Sequence, residues 1–307
     1  MHIRDLEVDE STRLKPALCA PLGTTTTIRT QVLESNVGVV ENLRCAGMLH
    51  QRSPEGFSPH FQVCLPYRGL FVWHVGDHDI VADANQVLFV SGGESYHLSQ
   101  PRSADYAELI ITPDLELLAE VANACDASLS SHALFRRRSR RVGFGLQHLR
   151  TRFLHGALRG EWSGLAAEES TISLLRCALE ADASGCEPSR PTRCLIGRAK
   201  EFLEANMASP MRLANVARAV GASPAYLTDV FRRVEGVPLH RYLTQLRLAR
   251  ALIELPHASD LTTLALGLGF SSHSHFTAVF RRAFDCTPSN FRESSRKRSL
   301  THRPLAQ

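Results

Sequence analysis

The chain has 307 residues, 44% of them hydrophobic and 21% charged, with a formal net charge of +4. That length predicts about two domains, and the composition excludes a disordered or fibrous chain. The charge is unevenly placed: from Cys194 onward there are 16 Lys and Arg against 8 Asp and Glu, a surplus of +8 on a body that carries −4. A basic C-terminal third suits a polyanionic partner, although a solvated basic surface has the same composition.

Eight cysteines, at 19, 45, 64, 125, 177, 186, 194 and 286, form no C-x-x-C pair. They are expected to be reduced, mostly buried thiols in a cytoplasmic protein. The first 30 residues lack the apolar run of a secretory signal, and no stretch reaches the roughly 18 apolar residues of a membrane span.

Residues 1–25 are polar and rich in Pro and Thr, and are expected to be a poorly ordered lead-in. From about 26 to 112 short apolar runs alternate with turn signals: Phe61, Val63 and Leu65, then Leu70 to Trp73, Ile80-Val81, Val87 to Val90, Tyr96, Leu98, Leu109 and Ile111. Such spacing predicts an antiparallel sandwich or barrel. Thr112-Pro113 reads as a helix start, with helix through 114–124. The run Arg136 to Arg141 reads as a basic linker. Helical periodicity returns at Phe144, Leu146, Leu149, Phe153 and Leu154, and again from Leu165 to Leu179, which predicts a helical hairpin. Gly185, Pro188 and Pro191 mark 183–193 as the interdomain linker.

Beyond it, helices are expected over about 195–206, 212–220, 224–235, 238–255, 261–268 and 273–284, with a disordered basic tail over 295–307. Two stretches repeat here at an offset of 49. Val230-Phe231-Arg232-Arg233 recurs as Val279-Phe280-Arg281-Arg282, and Ser223 answers to Ser272. Ala217 and Gly221 answer to Ala265 and Gly269 at 48, so the second turn is one residue longer. Each copy is a helix, a turn and a second helix.

In the second helix of each copy, Leu227, Val230, Phe231 and Val234, matched by Phe276, Val279, Phe280 and Ala283, must face a core. The opposite face then carries Ala225, Thr228, Asp229 and Arg232 in one copy and Ser274, Thr277, Ala278 and Arg281 in the other. A helix of this size fits a major groove about 12 Å wide, where small side chains permit close approach to bases. Ala225, Thr228, Asp229, His273, Ser274, Thr277 and Ala278 are the candidate groove-facing residues. Ser223, Arg232, Arg233, Ser272, Arg281 and Arg282 are candidates for phosphate contact. Two alternatives stand beside these roles: an ion pair from Asp229 to Arg232 or Arg233, and plain capping for His273 and its neighbour His275.

The segment from Ile196 to Arg292 resembles the DNA-binding domain of the AraC/XylS family of bacterial transcription regulators. The first copy carries Ser223-Pro224, Tyr226-Leu227, Phe231-Arg232, Gly236 and Tyr242, then Arg247-Leu248-Ala249-Arg250-Ala251. The second carries Gly269-Phe270-Ser271, Ser274-x-Phe276, Phe280-Arg281, Phe284, Thr287-Pro288-Ser289 and Phe291-Arg292. Asp285 departs from the glycine usual in the family. The resemblance implies two helix-turn-helix units bridged by one long helix, entering successive major grooves about 34 Å apart. It also implies, more loosely, a cupin-like N-terminal barrel that binds a small effector, with nearby helices that dimerise.

The expected architecture is therefore α+β in two domains: a cupin-like antiparallel barrel with a helical hairpin over 26–182, and an all-α double helix-turn-helix domain over 194–294. The expected partners are promoter DNA, RNA polymerase, a small effector and a second copy of the chain, with no membrane. Phe61, Trp73, Tyr96 and His97 are candidate effector contacts, and a barrel that only dimerises is the alternative. A metal enzyme is the less favoured reading. His50, His60, His74, His78, His97 and Glu94 are available, but His74 and His78 straddle a turn and form no His-x-His pair, so no metal or other cofactor is expected.

Overall fold

A computed structural model describes residues 26–47, 51–100, 105–125, 138–180 and 188–300. The lead-in 1–25, His50, Arg136, Arg137, the linker residues 183–187 and the end of the tail, 301–307, lie outside them.

Ten strands build the N-terminal domain among the described residues: β1 Thr26–Ser35, β2 Gly38–Ala46, β3 Gly56–Phe57, β4 Gln62–Arg68, β5 Phe71–Val75, β6 His78–Ala82, β7 Gln86–Val90, β8 Ser95–Ser99, β9 Asp105–Pro113 and β10 Ser139–Arg141. They form a six-stranded sheet in the order β1-β2-β9-β4-β7-β10 and a four-stranded sheet in the order β3-β8-β5-β6. Neither sheet closes on itself among the described residues, so the expected barrel is two open antiparallel sheets sharing one core.

Alternation along the strands builds that core. Cys64, Leu88 and Ile110 of the larger sheet meet Phe71, Trp73 and Val75 of the smaller. Their neighbours Val63, Val87, Leu109 and Ile111 point the other way, into helices α1 Leu115–Ala124, α2 Phe144–Leu158 and α3 Gly164–Leu179. The larger sheet is thus buried on both faces, which is why Leu109-Ile110-Ile111 is apolar without alternation.

The C-terminal domain comprises α4 Arg190–Ala205, α5 Leu213–Val220, α6 Pro224–Glu235, α7 Leu239–Glu254, a 3₁₀ turn Leu255–His257, α8 Leu261–Gly267, α9 His273–Phe284 and α10 Pro288–Leu300. It has two separate cores. One gathers Leu203, Val216, Leu227 and Phe231 around Leu239, Tyr242 and Leu246 of α7. The other gathers Leu261, Phe276, Phe280 and Phe291 around Leu248, Leu252 and Leu255. The long helix α7 gives its first half to one core and its second half to the other.

Several boundaries differ from expectation. Asp114, not Thr112, caps α1, accepting from the amides of Glu116 and Leu117 at 2.9 and 3.1 Å, because Thr112 and Pro113 still belong to β9. Helix α4 begins at Arg190, inside the expected linker, with a proline in its first turn. Residues 138–141 are no solvated linker: Arg138 forks onto the Glu94 carboxylate, and Arg140 lies 5.4 Å over the Phe89 ring. The tail is helical as far as Leu300, since Arg296 of α10 donates to the carbonyls of Pro256 and Ala258 at 3.0 and 2.7 Å. Among the described cysteines, Cys45 and Cys64 are buried, three are half-buried and Cys194 is exposed, so the expected burial holds for a minority. None of these six forms a disulfide with another described cysteine.

Candidate nucleic-acid interface

The second helix of each repeat starts on a serine cap. The Ser223 hydroxyl accepts from the Tyr226 amide at 3.2 Å, and Ser272 accepts from the His275 amide at 3.1 Å. These bonds occupy the serine oxygens as acceptors and leave each O–H to donate outward. The helix before each turn ends on a left-handed glycine, Gly221 at φ 70° and Gly269 at φ 83°. At Gly269 the close approach is severe as well: a Cβ would lie 2.5 Å from the Met207 carbonyl oxygen. Counted from that glycine to the serine cap, the second turn (Gly269 to Ser272) is one residue longer than the first (Gly221 to Ser223), as the repeat offset implies.

On α6 and α9 the core face and the open face fall where periodicity places them. Leu227, Val230, Phe231, Phe276 and Phe280 are buried, and Val234, Val279 and Ala283 are half-buried against the same cores. Ala225, Thr228, Asp229, Arg232, Arg233, Ser274, Ala278, Arg281 and Arg282 are exposed, and Thr277 and His273 are half-buried. The structure thus brings the candidates together as two open helical faces, each with its arginines at the C-terminal end.

Local bonds discriminate among them. Asp229 is ion-paired with Arg233 one turn on, an exposed pair. The His275 ring hydrogen-bonds Ser271 at 2.9 Å and packs edge-on to Phe270, so it closes the turn. His273 reaches Thr277 at 3.4 Å. Hydrogen bonds from Thr263 hold the Asp260 carboxyl below its ordinary range at the start of α8.

Arg247, whose role the sequence pattern left open, ties the two units together. Its guanidinium donates to the carbonyls of Met207 and Ser209 beside the first unit, at 2.9 and 3.3 Å. It also lies 5.8 Å from the Phe270 ring in the turn of the second. Partial burial lowers its pKa from the usual arginine value. Nothing in local periodicity reveals a contact that joins two turns.

The N-terminal candidates do not converge. Phe61 faces the helices and stacks on Phe89 at 6.4 Å, whereas Trp73 lies between the sheets with Tyr96 edge-on at 6.3 Å. His97 bonds the Ser53 carbonyl at 2.9 Å. Both ring nitrogens of His74 are engaged, by Asp79 at 2.5 Å and Ser99 at 2.8 Å. Among the described residues no group of three or more His, Cys, Asp or Glu is placed to hold a metal. A cleft of about 450 Å³ opens elsewhere, between the domains, lined by Arg44, Tyr67, Arg68, Leu154, Ile253 and Leu264 among others. His155 also lines it, and burial and the nearby Arg159 and His257 push this group down to about 4, so its ring is neutral at physiological pH.

Residues 216–294 match the family described as "Helix-turn-helix domain". Regulatory protein SoxS of Salmonella typhimurium is 37% identical over 93 residues, a match that covers 30% of this chain and 87% of SoxS. The chain belongs to the AraC/XylS family. Other relatives in it are longer. Regulatory protein PocR of Salmonella typhimurium is 29% identical over 103 residues, 33% of this chain and 34% of PocR. The transcriptional activator RhaR of Klebsiella pneumoniae is 27% identical over 145 residues, 46% of this chain and 52% of RhaR. The chain thus spans a third to a half of the length of these two. In this AraC/XylS chain the family match, over residues 216–294, lies within the double helix-turn-helix domain. No helix among the described residues is long and apolar enough to cross a membrane.

Proposed function

We propose that this AraC/XylS protein is a sequence-specific transcription regulator, an activator, that binds promoter DNA in the cytoplasm. It acts by binding and not by catalysis, with an N-terminal domain, cupin-like in kind, that responds to a small effector. The observation that carries this reading is the pair of serine-capped helices α6 and α9, whose matched faces of small side chains and terminal arginines stand open to solvent. Small residues at the floor suit contact with base edges, and the outer arginines suit phosphate. RhaR, a relative named as a transcriptional activator, supports the direction of regulation. The interdomain cleft supports the response to an effector, since a molecule held there would touch both domains.

Selection of binding sites from random DNA with the full chain tests the reading. It should return a bipartite motif, and a featureless pool would overturn the proposal. Transcription in vitro from a promoter carrying that motif should rise when the protein is added to RNA polymerase. With the selected site, Arg281→Ala should lower affinity for all sequences alike and reduce the slope of log K against log salt by about 0.9. An unchanged slope would remove Arg281 from the phosphate contacts. An effector at 100 times its dissociation constant should add about 2.7 kcal/mol of stability.

A further inference from the structure

Reading a bipartite site requires more than two recognition helices; it requires a fixed relation between them. Inside the C-terminal domain that relation rests on α7 and on the Arg247 contacts, because the two cores are otherwise separate. We propose that the N-terminal domain is a brace across both helix-turn-helix units, so that the spacing the protein accepts between half-sites is set by contacts outside the DNA-binding domain. This rests on the DNA-binding function proposed above.

One grip holds the first unit through the turn after β6. The Tyr242 hydroxyl of α7 donates to Asp83 at 2.6 Å, and the Asn85 amide returns a bond to the Tyr242 carbonyl at 3.2 Å. Gly197 of α4 lets Val81 pack directly on the helix, for a Cβ there would lie 2.9 Å from the valine methyl. Asp83, Asn85 and Tyr242 are fully buried.

A second grip holds the other unit through α2. Phe144 meets the Phe284 ring edge-on at 5.7 Å, and His148 lies 5.6 Å from Phe284 and 5.8 Å from Phe291. Just past the end of α2, Arg159 donates to the Ser295 carbonyl of α10. Phe284 is the last residue of recognition helix α9, so whatever fixes Phe284 fixes the end of that helix.

The two grips are joined rigidly inside the N-terminal domain. Gln147, one turn from Phe144 on α2, donates to the Ala84 carbonyl and to the Asn85 side chain, both at 2.9 Å. Arg150 donates to the carbonyls of Pro66 and Ala84 from a fully buried position. The Asp83–Asn85 turn and α2 therefore move as one body. That body touches α7 at one end and the end of α9 at the other. One base pair shifts a half-site by about 3.4 Å along the duplex, a displacement that this tightly packed body resists. Phe144 and His148 are then positioning residues for DNA reading, although neither faces the DNA.

The test uses the full chain and the selected bipartite site, together with sites that have one base pair added or removed between the halves. Binding is followed by fluorescence anisotropy at fixed salt. The wild type should lose roughly 30-fold or more on each shifted site. Phe144→Ala/His148→Ala should bind the original site within about fivefold of wild type and lose only about threefold on the shifted ones. Phe144→Leu should restore most of the discrimination. Tyr242→Phe loosens the other grip by a single hydrogen bond, should also flatten the spacing profile, and serves if the double variant does not fold. A profile in the folded variants that matches wild type would overturn the brace and leave DNA binding standing. A wild type that ignores spacing would overturn it too, and a wild type with no sequence preference would overturn both readings.

Discussion

Glu108 is a carboxyl buried between the two sheets, flanked in β9 by Tyr106 and Ile110, which face the same core. Among the described residues its Oε2 has no hydrogen-bond partner, and burial pushes its pKa up to about 7 against the weaker opposing pull of Arg29. The sign follows from linkage. Below the ordinary carboxylate pKa both folded and unfolded chains hold the proton. Between there and pH 7 only the folded chain holds it, so stability falls as pH rises. Glu108→Gln should remove that loss and be more stable than wild type at pH 8 by up to about 3 kcal/mol, with the gap closing towards pH 4. Urea midpoints at several pH values would check it, and parallel pH profiles for the two proteins would show that Glu108 is not the group responsible. A charged residue within an otherwise apolar strand reads from sequence as solvent-facing, and only the second sheet makes it interior. The position of Thr228 and Thr277 away from the core was legible because a helix with one buried stripe fixes its opposite face.

Elements were legible where a local chemical signal marks them, and shifted where two signals compete. Ser223, Asp260 and Ser272 cap their helices, each accepting an amide from three residues on. The start of α1 shifted because two capping-type residues stand close together, and pairing with β2 draws Thr112 and Pro113 into the sheet. Helix α10 carries few apolar residues, so its basic sequence reads as a tail; the contacts that order it come from Phe291 in the second core and from distant carbonyls. Asp285, at φ 55°, is the one non-glycine residue with positive φ among the described residues, and it ends α9. Its carboxylate also sits at the unfavourable end of the helix dipole. Asp285→Gly should therefore stabilise the chain by about 1 kcal/mol, since glycine adopts this conformation without steric cost. Thermal unfolding would detect the gain, and a loss of stability would mean that the aspartate side chain makes a compensating contact.

At the scale of the molecule, the two domains were legible as compositions but their joint was not. Lys200, Tyr242, Asp83 and Asn85 are scattered over 160 positions, and no local pattern links them. Together they form a buried polar seam: Lys200 pairs with Glu235 at 2.6 Å and lies 5.7 Å over the Tyr242 ring, whose hydroxyl meets Asp83. Burial raises the Asp83 pKa, and the Lys200 charge and the Tyr242 hydroxyl oppose that rise. A seam of this kind holds only while every member is satisfied, and each member regains hydration when the domains part. The intact chain should unfold in one cooperative transition, because its domains share buried groups. Asp83→Ala leaves Lys200 paired with Glu235 but strands the Tyr242 hydroxyl, at a cost of about 1–3 kcal/mol concentrated at the joint. Calorimetry of that variant should resolve two transitions, one for each domain. A single transition shifted to lower temperature would mean that Phe144 and His148 on Phe284 suffice to keep the domains cooperative.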